Sequence, residues 1–205
     1  YYKKIFMISF GLFTALSTFY FTMFVTPGPN NTMLTTSGMK FGFLKTLPHL
    51  IGIPLGHIIQ IGLCCYGLIN IFLLYPELQF YMRIICFLYL MYLSWKMIGS
   101  FSLSQKKSGK PLKFYEASLF QFINPKAWSI ALTVASGFFP TEENVFVGIL
   151  FVTFTAAVIC FPSICLWALF GDALRNFVKE VKTKKIIEYF LALLLVLTGV
   201  FILIK

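Results

Sequence analysis

Three long stretches of this chain contain no charged side chain. No Asp, Glu, Lys or Arg occurs in residues 5–39, 46–76 or 145–170. A helix needs about 20 predominantly apolar residues to cross the hydrocarbon core of a bilayer, and a soluble domain of 205 residues has no core that could hide runs of this length. Only 12% of the residues are charged, against roughly 25% in a typical soluble domain. The sequence therefore predicts an all-α polytopic membrane protein.

Charged residues and turn motifs divide the chain into six predicted transmembrane helices. The connections YPEL and PTEEN contain proline and acidic residues and are short enough to join antiparallel neighbours. The first apolar stretch is too long for a cleaved signal peptide, so we count it as a span. The predicted helices are 5–26, 47–69, 78–99, 115–139, 145–170 and 186–204.

The order of these helices predicts an internal repeat. A basic connection at residues 101–113 separates residues 1–100 from residues 114–205, with three helices in each part. Because three is an odd number, the second repeat would enter the membrane in the opposite sense. Inverted repeats of this kind are common in secondary transporters, whose sites lie where broken helices of the two repeats meet. Here TPGPNN interrupts the first helix of one repeat and NPK interrupts the first helix of the other, so we predict two inverted three-helix repeats with broken first helices.

The distribution of Lys and Arg predicts the orientation. The connections after the first, third and fifth spans carry twelve of these residues, and the opposite side carries four. The positive-inside rule places the basic connections in the cytoplasm of a bacterial inner membrane, with both termini outside. Lys3 and Lys4 act against this arrangement, so a five-span form with an internal N-terminus stays open.

Because the net charge of +10 lies mostly in short connections without interleaved aromatic residues, a nucleic-acid partner is not expected.

Proline, glycine and asparagine make the first break polar. Pro27 and Pro29 each remove a backbone donor, and Gly28 between them does not restore a regular helix. A freed carbonyl group in hydrocarbon costs several kcal/mol unless a partner satisfies it. Asn30 and Asn31 supply donors and acceptors beside the break, so we expect the segment to satisfy part of its own backbone.

The second break adds a charge to the same pattern. Asn124 and Pro125 can begin a new helix, and Lys126 follows them. A lysine at the centre of a span costs roughly 3 kcal/mol on insertion scales. The carbonyl groups at the first break would attract its ammonium. Two interpretations stay open: Lys126 joins the two repeats structurally, or Lys126 and the free helix ends meet the carboxylate and amine of a substrate.

These motifs resemble those of a known family. TPGPNN, SGMKFGFLKTLPHLIGIPLG and QFINPKAW, in this order, resemble the LysE/RhtB family of amino-acid exporters, over essentially the whole chain. The resemblance implies six helices, no bound cofactor and no enzymatic activity, and efflux of amino acids or close derivatives driven by the proton gradient. The residues that match the family motifs are Pro27, Gly28, Pro29, Asn30, Gly38, Gly42, Gly52, Gly56, Asn124, Pro125 and Lys126.

The resemblance also bears on the substrate. Family members that export lysine and arginine typically carry one aspartate in the second span and another after the second-repeat Asn-Pro. This chain has Gly56 and His57 near the first place, and Ser129 and Ile130 near the second. A dibasic substrate would lack a counter-charge there, which favours a neutral amino acid of the homoserine, threonine or leucine type.

The second span adds four candidate residues. His49 and His57 are eight residues apart and lie on about the same side of a helix, where either could relay a proton or act structurally. Gly52 and Gly56 form a small-xxx-small pair, which is typical of close helix packing. The substrate-binding candidates are Pro27, Gly28, Pro29, Asn30, Asn31, Asn124, Pro125 and Lys126.

Other membrane functions fit the sequence less well. A thiol oxidoreductase needs cysteines at the broken helices, and the five cysteines all lie in other spans, without the spacing of a metal site. A membrane enzyme would need a converging set of catalytic residues, which the sequence does not suggest. Export of another small solute or an ion stays an alternative, although Lys126 argues against a cation. The predicted partners are an amino-acid substrate and the lipid bilayer, and a homo-oligomer is compatible with the sequence.

Overall fold

The computed structural model describes residues 9–75, 77–98, 110–140, 144–177 and 181–204, and within these ranges it is helical without strands. The predictions about Lys3, Lys4 and most of the connection 101–113 lie outside the described residues. The helices are α1 (Phe10–Val25), α2 (Pro29–Phe41), α3 (Phe43–Leu63), α4 (Ile69–Leu74), α5 (Glu77–Met97), α6 (Phe114–Phe120), α7 (Pro125–Gly137), α8 (Val145–Phe177) and α9 (Val181–Ile204).

Several of these helices are suited to a bilayer. Within the described residues, Phe43–Leu68, Val145–Arg175 and Lys185–Ile204 are long and apolar enough to cross a membrane by length and composition. The pair α1 and α2 passes the same test together but is bent by 54° at the break between its members, which makes it a fourth candidate span. The polytopic membrane class is thereby supported. The count of six spans and the inverted repeat stay predictions.

Helix α2 differs from the predicted pattern. We predicted no helix between the first break and residue 47, whereas α2 fills this gap and α3 already begins at Phe43. Pro29 begins α2, a position where its missing N–H is not needed. Gly42 ends it with a φ of +84°, which a glycine adopts without strain. The prediction missed α2 because its Asn, Thr and Ser side chains are buried against protein, so the helix carries no apolar signature.

Other helix boundaries also differ from the prediction. The second predicted helix is kinked within Cys64–Leu68, where Gly67 has a φ of +138°, and α4 then extends to Leu74, beyond the predicted end at residue 69. The fourth predicted helix is divided at Asn124 into α6, a 3₁₀ turn at Gln121–Ile123, and α7. Helix α8 runs past residue 170 to Phe177, since Asp172 and Arg175 do not end it.

The bent pair α1–α2 runs parallel to α8. The Tyr20 hydroxyl donates to the Val152 carbonyl oxygen at 2.9 Å, and further along both helices the Thr35 hydroxyl donates to the Trp167 carbonyl oxygen at 3.3 Å. Helix α2 approaches α8 so closely that a Cβ atom added to Gly38 would collide with the Ala168 backbone. The absence of a side chain at this glycine therefore sets the distance between the two helices.

Helix α3 runs parallel to α6 at a similarly short distance. Gly52 lies against the backbone of Phe114, and one turn later Gly56 lies against Ser118 and Gln121. A side chain at either glycine would separate the helices. Gly52 and Gly56 thus bring α3 next to the second break.

Buried apolar side chains form two clusters. One joins α1, α3, α7 and α8, and the other joins α2 and α6 to α5 and α9. Many large apolar side chains point outward instead, among them Phe146 and Phe154 of α8 and Leu193 of α9. A surface of this kind is suited to lipid and not to water.

Candidate functional site

The first break lies at Thr26–Gly28, between α1 and α2. The carbonyl groups at the end of α1 lose their helical partners there, and side chains replace them. The Asn31 amide donates to the carbonyl oxygens of Phe24 and Thr26, both at 2.8 Å. The Trp167 indole of α8 donates to the Val25 carbonyl oxygen at 3.1 Å. Backbone that the prolines leave unpaired is therefore satisfied by protein, as the membrane interior requires.

The second break lies at Asn124, between the 3₁₀ turn and α7. The Asn124 side-chain oxygen accepts a hydrogen bond from the Lys126 backbone N–H at 3.1 Å, which caps the N-terminus of α7. Pro125 occupies the first position of the new helix, where no N–H is required. The sequence Asn-Pro-Lys is therefore an efficient helix start placed inside an apolar segment.

Lys126 connects the two breaks. Its ammonium donates to the carbonyl oxygen and the hydroxyl of Thr26, both at 2.9 Å, and to the Pro27 carbonyl oxygen at 3.2 Å. The C-terminal end of α1 carries partial negative charge, which stabilises a cation there. Gly28 lies beneath the lysine chain, because an added Cβ would lie 3.0 Å from the Lys126 Cδ atom.

An amide pair also joins the breaks. Asn30 and Gln121 exchange two side-chain hydrogen bonds, at 2.8 and 3.1 Å. Gln60 of α3 donates to the Gln121 backbone oxygen at 3.2 Å. Sequence reasoning identified Asn30 and missed Gln121 and Gln60, although polar residues inside apolar helices were a signal that could have indicated them.

A cavity of about 420 Å³ lies beside the two breaks. Small-molecule sites usually have volumes of roughly 300–1,000 Å³. Its wall combines the two breaks with the beginning of α5 and the end of α9. The lining residues are Met23, Thr26, Pro27, Gly28, Pro29, Met82, Arg83, Pro125, Lys126, Trp128, Ser129, Leu132, Thr198, Phe201 and Ile202. Arg83, Met82 and Thr198 were not among the predicted site residues, because nothing in the sequence places α5 and α9 beside the breaks.

A second, small cavity of about 20 Å³ shares Met23, Gly28 and Lys126 with the wall of the first. Asn30, Asn31, Asn124, His57 and Lys126 are among its lining residues. The five predicted residues thus meet at one place, although the three asparagines already bond to neighbouring protein groups. Its volume suits at most about one water molecule, so of these two cavities the larger is the one with room for a substrate.

The two histidines of α3 have different surroundings. The His57 ring packs edge-on against Phe24 with ring centres 5.1 Å apart, and His57 lines the small cavity. His49 is also buried but lines neither of these two cavities. Within the described part of the chain, both His49 nitrogens and the His57 Nδ1 atom have no hydrogen-bond partner. The structure therefore brings His57, and not His49, next to Lys126.

The described residues contain no group of three or more His, Cys, Asp or Glu side chains arranged to hold a metal ion. The donors and acceptors at the breaks are carbonyl groups, amides, hydroxyls and one ammonium. Such a set suits recognition of a small zwitterion by hydrogen bonds and charge.

Comparisons with known proteins point the same way. A sequence model of the LysE type translocator family matches residues 21–205. The chain is 27% identical over 190 residues to proteins named cysteine/O-acetylserine efflux protein from Salmonella paratyphi A and from Escherichia coli K12. Each of these alignments covers 92% of this chain and 96% of the relative. No solved structure matches the chain.

Proposed function

Because this chain belongs to the LysE type translocator family and is a transporter and not an enzyme, we propose that it exports neutral amino acids across the bacterial inner membrane by proton antiport. In this proposal the six predicted spans form two inverted repeats, the basic connections face the cytoplasm, and the substrate binds in the cavity beside the two breaks. The relatives are named for cysteine and O-acetylserine, so these two compounds join homoserine, threonine and leucine as the first substrates to test.

The observation that carries this proposal is the contact of Lys126 with the end of α1. Three hydrogen bonds fasten a side chain of one predicted repeat to the broken helix of the other, at the edge of a cavity of suitable size. A substrate in this cavity would lie beside the contact that joins the two predicted repeats. Substrate binding there would be coupled to movement of one repeat against the other.

The eight substrate-binding candidates divide by position in this proposal. Pro27, Gly28, Pro29, Pro125 and Lys126 line the larger cavity and would meet the substrate. The remaining three would hold the breaks in shape around it: Asn30, Asn31 and Asn124.

Transport by inside-out membrane vesicles tests the proposal. With a proton gradient imposed, we expect uptake of at least one of the five labelled amino acids by the native protein. Lys126→Ala should abolish this uptake, because it separates the two broken helices and removes the charge at the cavity. Lys45→Ala is the matched control, since Lys45 is exposed and lies outside the cavity. Native-level uptake by Lys126→Ala in correctly inserted protein would contradict the proposed site.

A further inference from the structure

Arg83 belongs to neither break, yet its side chain lines the larger cavity. It lies near the beginning of α5 and is half-buried. Within the described part of the chain it makes no hydrogen bond or ion pair with another residue. A guanidinium has five N–H donors in a planar arrangement that matches a carboxylate. Arg83 thus offers the cavity a cation whose donors are free.

The other cation of the cavity is already engaged. The Lys126 ammonium has three donors, and three oxygens of the first break accept from it. Among the described residues that line the cavity, none is an Asp or Glu that could neutralise either charge. An anionic group entering the cavity would therefore find Arg83 available while Lys126 holds α1.

Two hydroxyls of the cavity are oriented as acceptors. Ser129 donates its proton to the Pro125 carbonyl oxygen at 3.0 Å, and Thr198 donates to the Leu194 carbonyl oxygen at 2.7 Å. Because their protons are directed into their own helices, the lone pairs of both oxygens remain for a donor in the cavity. The rest of the wall is largely apolar and includes Met23 and Met82.

We propose that Arg83 binds the carboxylate of the exported amino acid, while the hydroxyl oxygens of Ser129 and Thr198 accept from its α-ammonium. This inference rests on the proposed export of amino acids and assigns the recognition of the two charged groups. An uncharged side chain of the substrate then meets the apolar wall. A side-chain ammonium or guanidinium would find two cations and no carboxylate, so lysine and arginine are excluded by charge.

Competition assays in proteoliposomes test this assignment without a proton gradient. The probe is whichever of cysteine, O-acetylserine, homoserine, threonine and leucine the native protein exchanges fastest, and the competitor is the methyl ester of that amino acid. The ester keeps the amine and the side chain but lacks the negative charge. We expect the native protein to prefer the free acid by about 30-fold or more, the usual effect of removing one partner of a close charge pair.

Arg83→Gln should raise the KM of the free acid by about 30-fold and should largely remove the preference for acid over ester. Arg83→Lys should show an intermediate preference, since a lysine keeps the charge but loses the planar pair of donors. Lys45→Gln removes an exposed positive charge outside the cavity and should retain the native preference. If Arg83→Gln does not fold, Arg83→Lys decides the question, because it preserves the charge in the membrane.

Three outcomes would overturn the inference. A native acid-over-ester preference in a folded Arg83→Gln or Arg83→Lys variant would show that another group binds the carboxylate. An effect of Arg83→Gln on stability or lipid dependence with unchanged preference would assign Arg83 to lipid phosphate groups. Exchange of none of the five amino acids by correctly inserted native protein would overturn the proposed function together with this inference, whereas the first two outcomes leave the proposed function intact.

Discussion

At the scale of single residues, the end of α1 explains why a polar break can persist inside an apolar protein. Four successive carbonyl groups, from Phe24 to Pro27, each accept from a side chain, and the donors come from three different helices. An unsatisfied buried acceptor costs about 1–3 kcal/mol, so this set of donors removes a large penalty. Of the four, only Thr26 and Pro27, which Lys126 contacts, line the larger cavity.

The two histidines of α3 make a matched pair for testing proton coupling. Both are buried, but only His57 lines a cavity with Lys126. We expect His57→Gln to lose most of the uptake driven by a proton gradient while exchange without a gradient is retained, because a glutamine cannot carry the proton. His49→Gln should retain both activities. The measurement compares gradient-driven uptake with exchange in the same proteoliposomes.

Three other results would contradict the assignment of proton coupling to His57. Full gradient-driven uptake by His57→Gln, or its loss in a folded His49→Gln variant, would contradict a coupling role for His57. Loss of both activities in His57→Gln would indicate a structural role beside Phe24.

At the scale of helices, glycine determines which elements approach closely. The Cβ atom of an alanine at position 38 would collide with the Ala168 carbonyl oxygen of α8, whereas nothing lies within 4 Å of a Cβ at Gly137. Overpacking costs typically about 1–3 kcal/mol, which corresponds to a decrease in Tm of roughly 5 °C for a chain of this size. We therefore expect Gly38→Ala to lower the Tm of the purified protein.

Gly137→Ala is the control for this prediction. It makes the same chemical change in another helix and should leave Tm unchanged or raise it slightly, since alanine favours helix by up to about 1 kcal/mol. Equal Tm values for the two variants would show that the α2–α8 contact is looser than the structure indicates. Thermal unfolding followed by size-exclusion chromatography measures both.

The sequence predicted the helix breaks correctly because their cause is local, and it missed the features that depend on tertiary contacts. Pro27, Pro29 and Pro125 located both breaks, because the loss of a backbone donor is visible in the sequence. Helix α2 was missed, since its polar side chains are buried inside the protein. Arg83 was not predicted as a site residue, because the two residues are far apart in the sequence and only the fold places Arg83 and Lys126 at one cavity.

At the scale of the whole molecule, the cavity lies toward one end of the helices. Its wall includes the beginning of α5 at Met82 and the end of α9 at Ile202, both near the side predicted to be external. At the other end, close glycine contacts join α2 to α8. If the proposed orientation holds, the site would lie nearer the exterior than the α2–α8 contact does, as expected of one state of an alternating-access exporter.

This assignment of sides can be tested by cysteine labelling in intact cells. In a variant that lacks the five native cysteines, single cysteines replace Ser9, Glu77 or Lys110, which are exposed positions. A membrane-impermeant maleimide should label positions 9 and 77 directly and position 110 only after permeabilisation, because the basic connections are held in the cytoplasm. An internal position 9 with the other two unchanged would support the five-span form. Labelling of position 110 from outside would reverse the orientation, and the cavity at the breaks would then face the cytoplasm.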